Sequence, residues 1–368
     1  MPRLSFLDRF LPLWILLAMG LGLVLSRVAP GLAAWLDGAK IGTISLPIAL
    51  GLLVMMYPPL AKVRYDKAGG LVADKKLMTL TIVLNWVAGP TFMFALGWLF
   101  LPDHPELRTG LIIVGLARCI AMVLVWSDLS CADREATVVL VAMNSLFQVL
   151  LFGVLGWFYL QILPSWLGLS TMSADFSFWA IVVSVLVFLG IPLLAGVASR
   201  LIAEHTAGRK WYEERFLPVV SPLALLGLLY TIVVLFCLQG EYVMAQPWAV
   251  ARVALPLLCY FVVMFGVALV AARAAGMPYD RSASVAFTAA GNNFELAIAV
   301  AIGTFGAESG QALAGTVGPL VALVYFMRWA GPRSSPLTRR CHRRAFSRAS
   351  SALRGARPPS LRAAPRAR

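Results

Sequence analysis

The chain alternates long apolar runs with short polar or charged stretches, and the runs are long enough to predict membrane-spanning helices. One span needs about 20 residues, because a helix rises about 1.5 Å per residue across a hydrocarbon layer about 30 Å thick. The apolar pattern predicts an all-α polytopic membrane protein with ten transmembrane helices. The predicted spans cover about 11–29, 41–61, 77–101, 108–127, 136–160, 178–203, 216–238, 249–273, 282–305 and 311–329.

Two of the predicted spans carry polar residues near their middle. Span 4 has Arg118 beside Cys119, and span 9 has Asn292, Asn293 and Glu295. An intramembrane charge costs about 2.5–3.5 kcal/mol on insertion scales, so these residues need a partner or a function. The neighbouring glycine and asparagine residues favour local unwinding, which is tolerated only where protein or a water-filled cavity covers the freed backbone. We therefore expect spans 4 and 9 to be broken helices that meet and form a transport site.

The ten predicted spans divide into two sets of five, residues 1–160 and residues 161–330. Because each set has an odd number of spans, the second set must cross the membrane in the opposite direction to the first. Spans 4 and 9 then occupy corresponding positions of two inverted repeats. Interrupted helices at such positions are typical of a transporter's substrate site. The two halves share no strong residue identity, so the repeat is inferred from topology alone.

The distribution of basic residues predicts that both termini are cytoplasmic. Fourteen Lys and Arg lie in the segments on the side of the N-terminus, and four lie in the loops on the other side. The net charge of +14 is mainly a property of residues 331–368, which contain eleven Arg and no acid and leave +3 for the rest. This segment is predicted to be a disordered, Arg-rich cytoplasmic tail. Its composition is also typical of GC-rich DNA translated out of frame.

The cysteines and histidines show none of the usual metal or cofactor spacings. The chain has five Cys and three His, with no C-x-x-C or H-E-x-x-H motif. The predicted spans contain no Ser/His or Asp/Asp constellation, so we expect neither an enzyme nor a metal or cofactor site. Since the excess of basic residues lies in the tail, the lipid bilayer rather than a nucleic acid is the expected partner.

Four sequence blocks, in this order, carry a family resemblance: Leu46–Tyr65, Asn85–Pro90, Gly115–Val123 and Gly291–Val300. Together they resemble the arsenical-resistance permeases, arsenite effluxers of the bile acid/arsenite/riboflavin transporter superfamily. The resemblance implies ten spans, an inverted repeat and location in the cytoplasmic (inner) membrane of a bacterium. It also implies outward transport of arsenite, often of antimonite too, coupled to proton entry.

The resemblance further implies that Cys119 is required and that Asn293 and Glu295 are functional. As(III) is a soft ion that favours thiolate ligands, so Cys119 is expected to hold it rather than act as an inert packing residue. Asn292 and Asn293 are expected either to hydrogen-bond As–OH groups or to cap a half-helix. Glu295 is expected to carry the coupling proton by moving towards and away from Arg118. The alternative, which does not exclude the first, is a static Arg118–Glu295 ion pair.

The last span departs from the family pattern and leaves other functions open. Where the family continues from Gly-Pro-Leu into an acidic residue, Val and Pro, this chain continues from Gly318–Leu320 directly into Val321 and Ala322. The span is also short, with Arg328 near its end. A transport-impaired chain is therefore one alternative. The others are a sodium-coupled organic-anion symporter of the same superfamily, for which no dense cation site is visible, and a channel, because broken helices also line pores.

Overall fold

The computed structural model describes residues 11–41, 44–63, 74–170, 178–306 and 309–330. Within these residues the regular structure is helical except for a two-stranded antiparallel hairpin and one isolated bridge. The hairpin pairs β1 (Lys40–Ile41) with β2 (Ile44–Ser45). The all-α prediction is therefore confirmed, while the predicted tail at 331–368 lies outside the described residues.

We number the helices of the described residues in chain order. They are α1 (Leu11–Val28), α2 (Pro30–Gly38), α3 (Leu46–Ala61), α4 (Lys75–Phe100), α5 (Pro105–Leu116), α6 (Ala121–Leu129), α7 (Arg134–Trp166), α8 (Phe178–Thr206), α9 (Leu217–Ala245), α10 (Pro247–Ala274), α11 (Tyr279–Ala290), α12 (Phe294–Phe305) and α13 (Gly310–Ala330). Two short turns, Arg209–Trp211 and Tyr212–Phe216, lead into α9.

Five helices of the described residues are long and apolar enough to cross a membrane as single elements: α4, α7, α8, α10, and α9 together with the turns that lead into it. A sixth is added if Leu13–Val28 and Pro30–Leu36, which are bent by 106° at their junction, are counted as one span. The chain is thus a multi-pass membrane protein. The full count of ten spans stays a prediction.

The starts of three helices are fixed by local sequence and tied to each other. Asp74 caps α4 by accepting a hydrogen bond from the amide of Leu77 at 3.2 Å. Asp133 caps α7 in the same way, with the amide of Ala136 at 3.1 Å. Arg281, in the first turn of α11, pairs with both carboxylates, at 3.1 Å from Asp74 and 3.7 Å from Asp133. These contacts hold the starts of α4, α7 and α11 together.

The membrane helices pack in two groups. In the first helix group (α1, α3, α8 and α9), α9 lies along both α1 and α3, and α8 packs on α3. The second helix group contains α4–α7 and α10–α13, and α8 also touches its members α7 and α12. The helices α9 and α3 can approach closely because Gly227 has no side chain. A Cβ at this position would lie only 2.6 Å from the backbone nitrogen of Met55. Each group takes helices from both 1–160 and 161–330, so the repeat division stays a prediction.

Candidate functional site

The two segments expected to be broken are interrupted in the structure. Residues 117–120 leave the helix between α5 and α6, and residues 291–293 leave it between α11 and α12. Glycine and asparagine are poor helix formers, so Gly291, Asn292 and Asn293 account for the second interruption locally. The first interruption contains neither Gly nor Pro. It therefore depends on what it pairs with rather than on its own sequence.

The two unwound stretches pair with each other, and we call this pairing the crossing. Arg118 and Asn292 face each other in an isolated antiparallel bridge. The amide of Cys119 donates to the carbonyl of Gly291 at 3.2 Å. On the other side of the bridge, the amide of Asn293 donates to the carbonyl of residue 117 at 3.0 Å. These bonds satisfy backbone groups that unwinding frees, as a membrane interior requires.

A cavity that opens to solvent lies beside the crossing. Two of its polar lining residues, Cys119 and Asn292, come from the crossing, and the third, Glu295, comes from the first turn of α12. The first turn of α6 also lines it, through Met122 and Val123. The first helix group contributes only apolar side chains, namely Ile15, Leu228 and Ile232. The chemistry of the cavity therefore resides in the second helix group.

Cys119 is held in the cavity wall by its fit against Gly291. The side chain of Cys119 is 7 % exposed. A Cβ built on Gly291 would lie 3.0 Å from the Cβ of Cys119 and 2.8 Å from the carbonyl oxygen of Phe287. A larger residue at position 291 would press on the cysteine. The small size of Gly291 in the second break therefore allows the side chain of Cys119 in the first break to occupy its position.

The two asparagines of the second break have different surroundings. The amide nitrogen of Asn292 donates to the carbonyls of Val114, at 2.7 Å, and Ala117, at 3.3 Å. Its Oδ1 is buried and accepts no hydrogen bond from the described residues. Asn293 is the N-cap of α12, because its Oδ1 accepts from the amide of Leu296 at 3.1 Å. Asn292 therefore lines the cavity and has a buried oxygen without a donor among the described residues, whereas Asn293 caps the half-helix and does not line the cavity.

The structure places Glu295 and Arg118 in different environments. Glu295, in the first turn of α12, lines the cavity and is 7 % exposed. Arg118 is fully buried, and its guanidinium donates to the carbonyls of Gly115 and Ala289 and to the hydroxyl oxygen of Tyr260. Among the ion pairs of the described residues, none joins Arg118 to Glu295. The static pair considered from sequence is therefore not made in this conformation.

Sequence reasoning missed several polar side chains around Arg118. The side-chain oxygen of Gln148 accepts from the backbone amide of Arg118 at 2.5 Å. Gln148 and Asn144 are both fully buried on α7, one helical turn apart. Two buried amides on one face of a span indicate contacts between helices, and this was the available signal. Tyr260 lies within an apolar stretch of α10, and the sequence around it gives no comparable signal.

The sequence of the chain matches a family model and several known proteins. The model of the Sodium Bile acid symporter family matches residues 49–246. The Arsenical-resistance protein Acr3 of Corynebacterium glutamicum is 68 % identical over 340 residues, which is 91 % of this chain and 92 % of that protein. The chain belongs to the arsenical-resistance permease family. The family resemblance read from the four sequence blocks is thereby confirmed.

More distant members of the arsenical-resistance permease family and its relatives match over a similar length. The Arsenical-resistance protein Acr3 of Alkaliphilus metalliredigens is 29 % identical over 328 residues, which is 86 % of this chain and 89 % of that protein. An uncharacterized transporter of Synechocystis sp. is 35 % identical over 337 residues, 86 % of each chain. These proteins are named for transport or resistance rather than for an enzymatic reaction, which agrees with a transport role.

Proposed function

We propose that this chain exports arsenite across the cytoplasmic membrane of a bacterium by proton antiport. The observation that carries the proposal is a cavity beside the crossing that is lined by Cys119, Asn292 and Glu295. The names of the Acr3 relatives support an arsenical as the transported species. The proposed substrate is arsenous acid, with antimonite as a second candidate of the same chemistry.

Cys119 is the proposed ligand of As(III). A soft ion prefers sulfur to oxygen, so the thiol exchanges with one hydroxyl of As(OH)₃. The As–S bond forms, one As–O bond breaks, and the thiol hydrogen leaves with that hydroxyl as water. The Oδ1 of Asn292, which is buried and lacks a donor among the described residues, accepts a hydrogen bond from a remaining As–OH group. Asn293 supports this site by capping α12.

Glu295 is the proposed carrier of the coupling proton. It lines the same cavity as Cys119. Protonation of Glu295 therefore alters the affinity of the cavity for arsenite, and bound arsenite alters the affinity of Glu295 for a proton. The N-terminal ends of α6 and α12 both border the cavity, and the partial positive charge at a helix N-terminus favours negative charge there. A carboxylate at this position is therefore tolerated after the proton leaves. Hydrolysis of the As–S bond then returns the thiol and As(OH)₃ on the outer side.

The proposed topology has ten spans and two inverted repeats. The five long helices supply half of the spans, and α1, α3, α13 and the broken pairs α5/α6 and α11/α12 supply the others. The excess of basic residues on the side of the N-terminus supports cytoplasmic termini. In this arrangement the two breaks enter the membrane from opposite sides and meet at similar depth, as in other transporters built from inverted repeats.

A sodium-coupled organic-anion symporter is the second candidate, because the matching family model is that of bile acid symporters. Uptake by everted membrane vesicles separates the two functions. We expect arsenite to accumulate when the vesicle interior is acidified, equally in sodium and potassium buffers, with no uptake of the bile acid taurocholate. Sodium-dependent taurocholate uptake without arsenite uptake would replace the proposal. Arsenite that equilibrates without accumulating would indicate a channel.

The altered last span gives this experiment one further outcome. Pro319 and Ala322 of α13 line the cavity, and they flank the position at which the family pattern has an acidic residue. If the unmodified chain transports nothing, the variant Val321→Glu tests whether the missing acid is the cause. Recovery of arsenite uptake in that variant identifies a transport-impaired chain, and inactivity of both proteins contradicts arsenite efflux.

A further inference from the structure

Arg118 lies behind the crossing, where two half-helices end. Its Nη2 donates to the carbonyl of Gly115, in the last turn of α5, and its Nη1 donates to the carbonyl of Ala289, in the last turn of α11, at 3.2 Å. The last four carbonyls of a helix have no donor within that helix and carry partial negative charge. One guanidinium therefore serves the C-terminal ends of both broken helices at once.

Tyr260 of α10 completes this arrangement. Its hydroxyl oxygen accepts from Nη1 of Arg118 at 2.9 Å, and the hydroxyl donates to the same Ala289 carbonyl at 3.3 Å. Tyr260 is fully buried. Gly89 of α4 leaves the space for both side chains, because a Cβ there would lie 2.9 Å from the tyrosine oxygen and 3.0 Å from Nη1 of Arg118. Two further helices, α10 and α4, thus help to fix the position of one guanidinium.

We propose that Arg118 and Tyr260 are positioning residues that form a shared C-terminal cap for α5 and α11. In this account the cap sets the register of the crossing and thereby the placement of Cys119 against Gly291. Arg118 is adjacent in sequence to Cys119, and a shift of its guanidinium shifts the thiol. Arg118 therefore acts by geometry rather than as the moving charge partner of Glu295. The transport consequences rest on the proposed function, whereas the placement of the thiol does not.

The charge-partner and cap roles of Arg118 make opposite predictions for Arg118→Lys. Lysine keeps the positive charge but lacks the planar fork that reaches two carbonyls and a hydroxyl oxygen. The cap account expects this variant to be impaired, together with Tyr260→Phe, which removes only a hydroxyl. If Arg118 acts as a charge partner, Arg118→Lys should retain function and Tyr260→Phe should behave like the parent protein. Both accounts expect a neutral Arg118→Gln to fail, so that variant is uninformative.

Tyr212 provides a matched control outside the crossing. It is also fully buried, and its hydroxyl donates to the carbonyl of Ala61, at the end of α3, at 3.1 Å. A buried arginine, Arg200, donates to that same carbonyl at 3.2 Å. Tyr212→Phe therefore removes the same type of hydrogen bond, beside the same type of cation, in the first helix group. The Tyr212→Phe variant therefore shows how far the loss of a buried tyrosine hydrogen bond outside the crossing changes the same measurements.

The experiment measures maleimide labelling of Cys119 in membranes, in a full-length chain whose four other cysteines are replaced by alanine. We expect Arg118→Lys and Tyr260→Phe to change the labelling rate at least about fivefold and to raise the arsenite concentration that half-protects Cys119 about tenfold. The pH dependence of protection should stay unchanged, and Tyr212→Phe should match the parent. The proposal would be overturned if Tyr260→Phe showed the same labelling rate and the same protection by arsenite as the parent protein. This test does not depend on Arg118→Lys, so it still applies if that variant fails to reach the membrane.

The two readouts keep the inference separate from the proposed function. If arsenite does not protect Cys119 even in the parent protein, the proposed role of the thiol as arsenic ligand fails. The labelling rate still tests the cap, because it depends only on where the crossing places the thiol. A changed rate in both variants, with Tyr212→Phe unchanged, supports the cap in that case as well. A changed pH dependence of protection in Arg118→Lys would instead favour the charge-partner role.

Discussion

Replacing Cys119 with serine is expected to lower arsenite uptake by everted vesicles about 100-fold or more, which corresponds to about 2.7 kcal/mol of lost stabilisation. Serine preserves the size and the hydrogen-bonding capacity of the side chain, so the crossing should still form. Its oxygen, however, is a hard ligand that offers As(III) nothing that water does not. The loss should therefore appear in transport and not in the amount of protein in the membrane.

Cys237→Ser is the matched control for this variant. Cys237 is a buried free cysteine of α9 and does not line the cavity. Its replacement introduces the same polar atom into the membrane interior but leaves the crossing intact. We expect its arsenite uptake to stay within about twofold of the unmodified chain, since surrounding contacts are retained. Equal uptake by Cys119→Ser and Cys237→Ser would remove the thiol from the mechanism.

The second large effect is expected for Glu295→Gln. Glutamine keeps the shape of the side chain but cannot release a proton, so proton-driven accumulation of arsenite should be abolished. Exchange of labelled for unlabelled arsenite across the membrane should persist, because it requires the cavity but no net proton movement. Its rate should also become independent of pH. The measurement compares accumulation and exchange in the same vesicle preparation, with the internal pH varied at constant external pH.

Glu106→Gln serves as the control for the loss of a carboxylate. Glu106 lies in the first turn of α5, accepts a hydrogen bond from the amide of Gly310 at 3.3 Å and does not line the cavity. An amide oxygen can accept the same bond, so proton-driven accumulation should survive in this variant. Full accumulation by Glu295→Gln would show that the coupling group lies elsewhere. Loss of exchange as well as accumulation would assign Glu295 to binding rather than coupling.

The interrupted helices could be predicted because their polar residues conflict with a membrane interior. Arg118 and Glu295 are too costly for a lipid-facing helix, and Gly291 beside two asparagines is a poor helix former. The sequence therefore indicated where the helices break and that the breaks meet. It also indicated both roles considered for the asparagines. Only the structure assigns the capping role to Asn293 and leaves the oxygen of Asn292 without a partner among the described residues.

The environment of Arg118 could not be predicted, because it depends on contacts distant in sequence. Its partners are Gln148 on α7, Tyr260 on α10 and the carbonyl of Ala289 on α11. Reasoning from charge alone pairs an intramembrane arginine with the nearest functional acid, here Glu295. A guanidinium, however, has five donors, and helix ends provide acceptors that carry no formal charge. Composition cannot distinguish these two types of partner.

The apolar pattern also did not predict α2 or the hairpin formed by β1 and β2. The sequence predicts one continuous span at 11–29 and another from about residue 41. In the structure α1 covers nearly the same residues as the first predicted span, and the chain adds α2 after a 106° bend and a short hairpin before α3 begins. Pro30 is suited to the first turn of a new helix, and it marks this boundary. Hydrophobicity averaged over a whole span does not register a bend of this type.

The most direct measurement is the coordination of arsenic in the purified protein. Arsenite is bound to the full-length chain whose cysteines other than Cys119 are replaced by alanine, and the arsenic X-ray absorption spectrum is recorded. The account predicts one sulfur and two oxygen neighbours around As(III), and it predicts that the sulfur neighbour disappears in Cys119→Ser. Bound arsenite with three oxygen neighbours while Cys119 is intact would contradict the central claim that this thiol holds the transported ion.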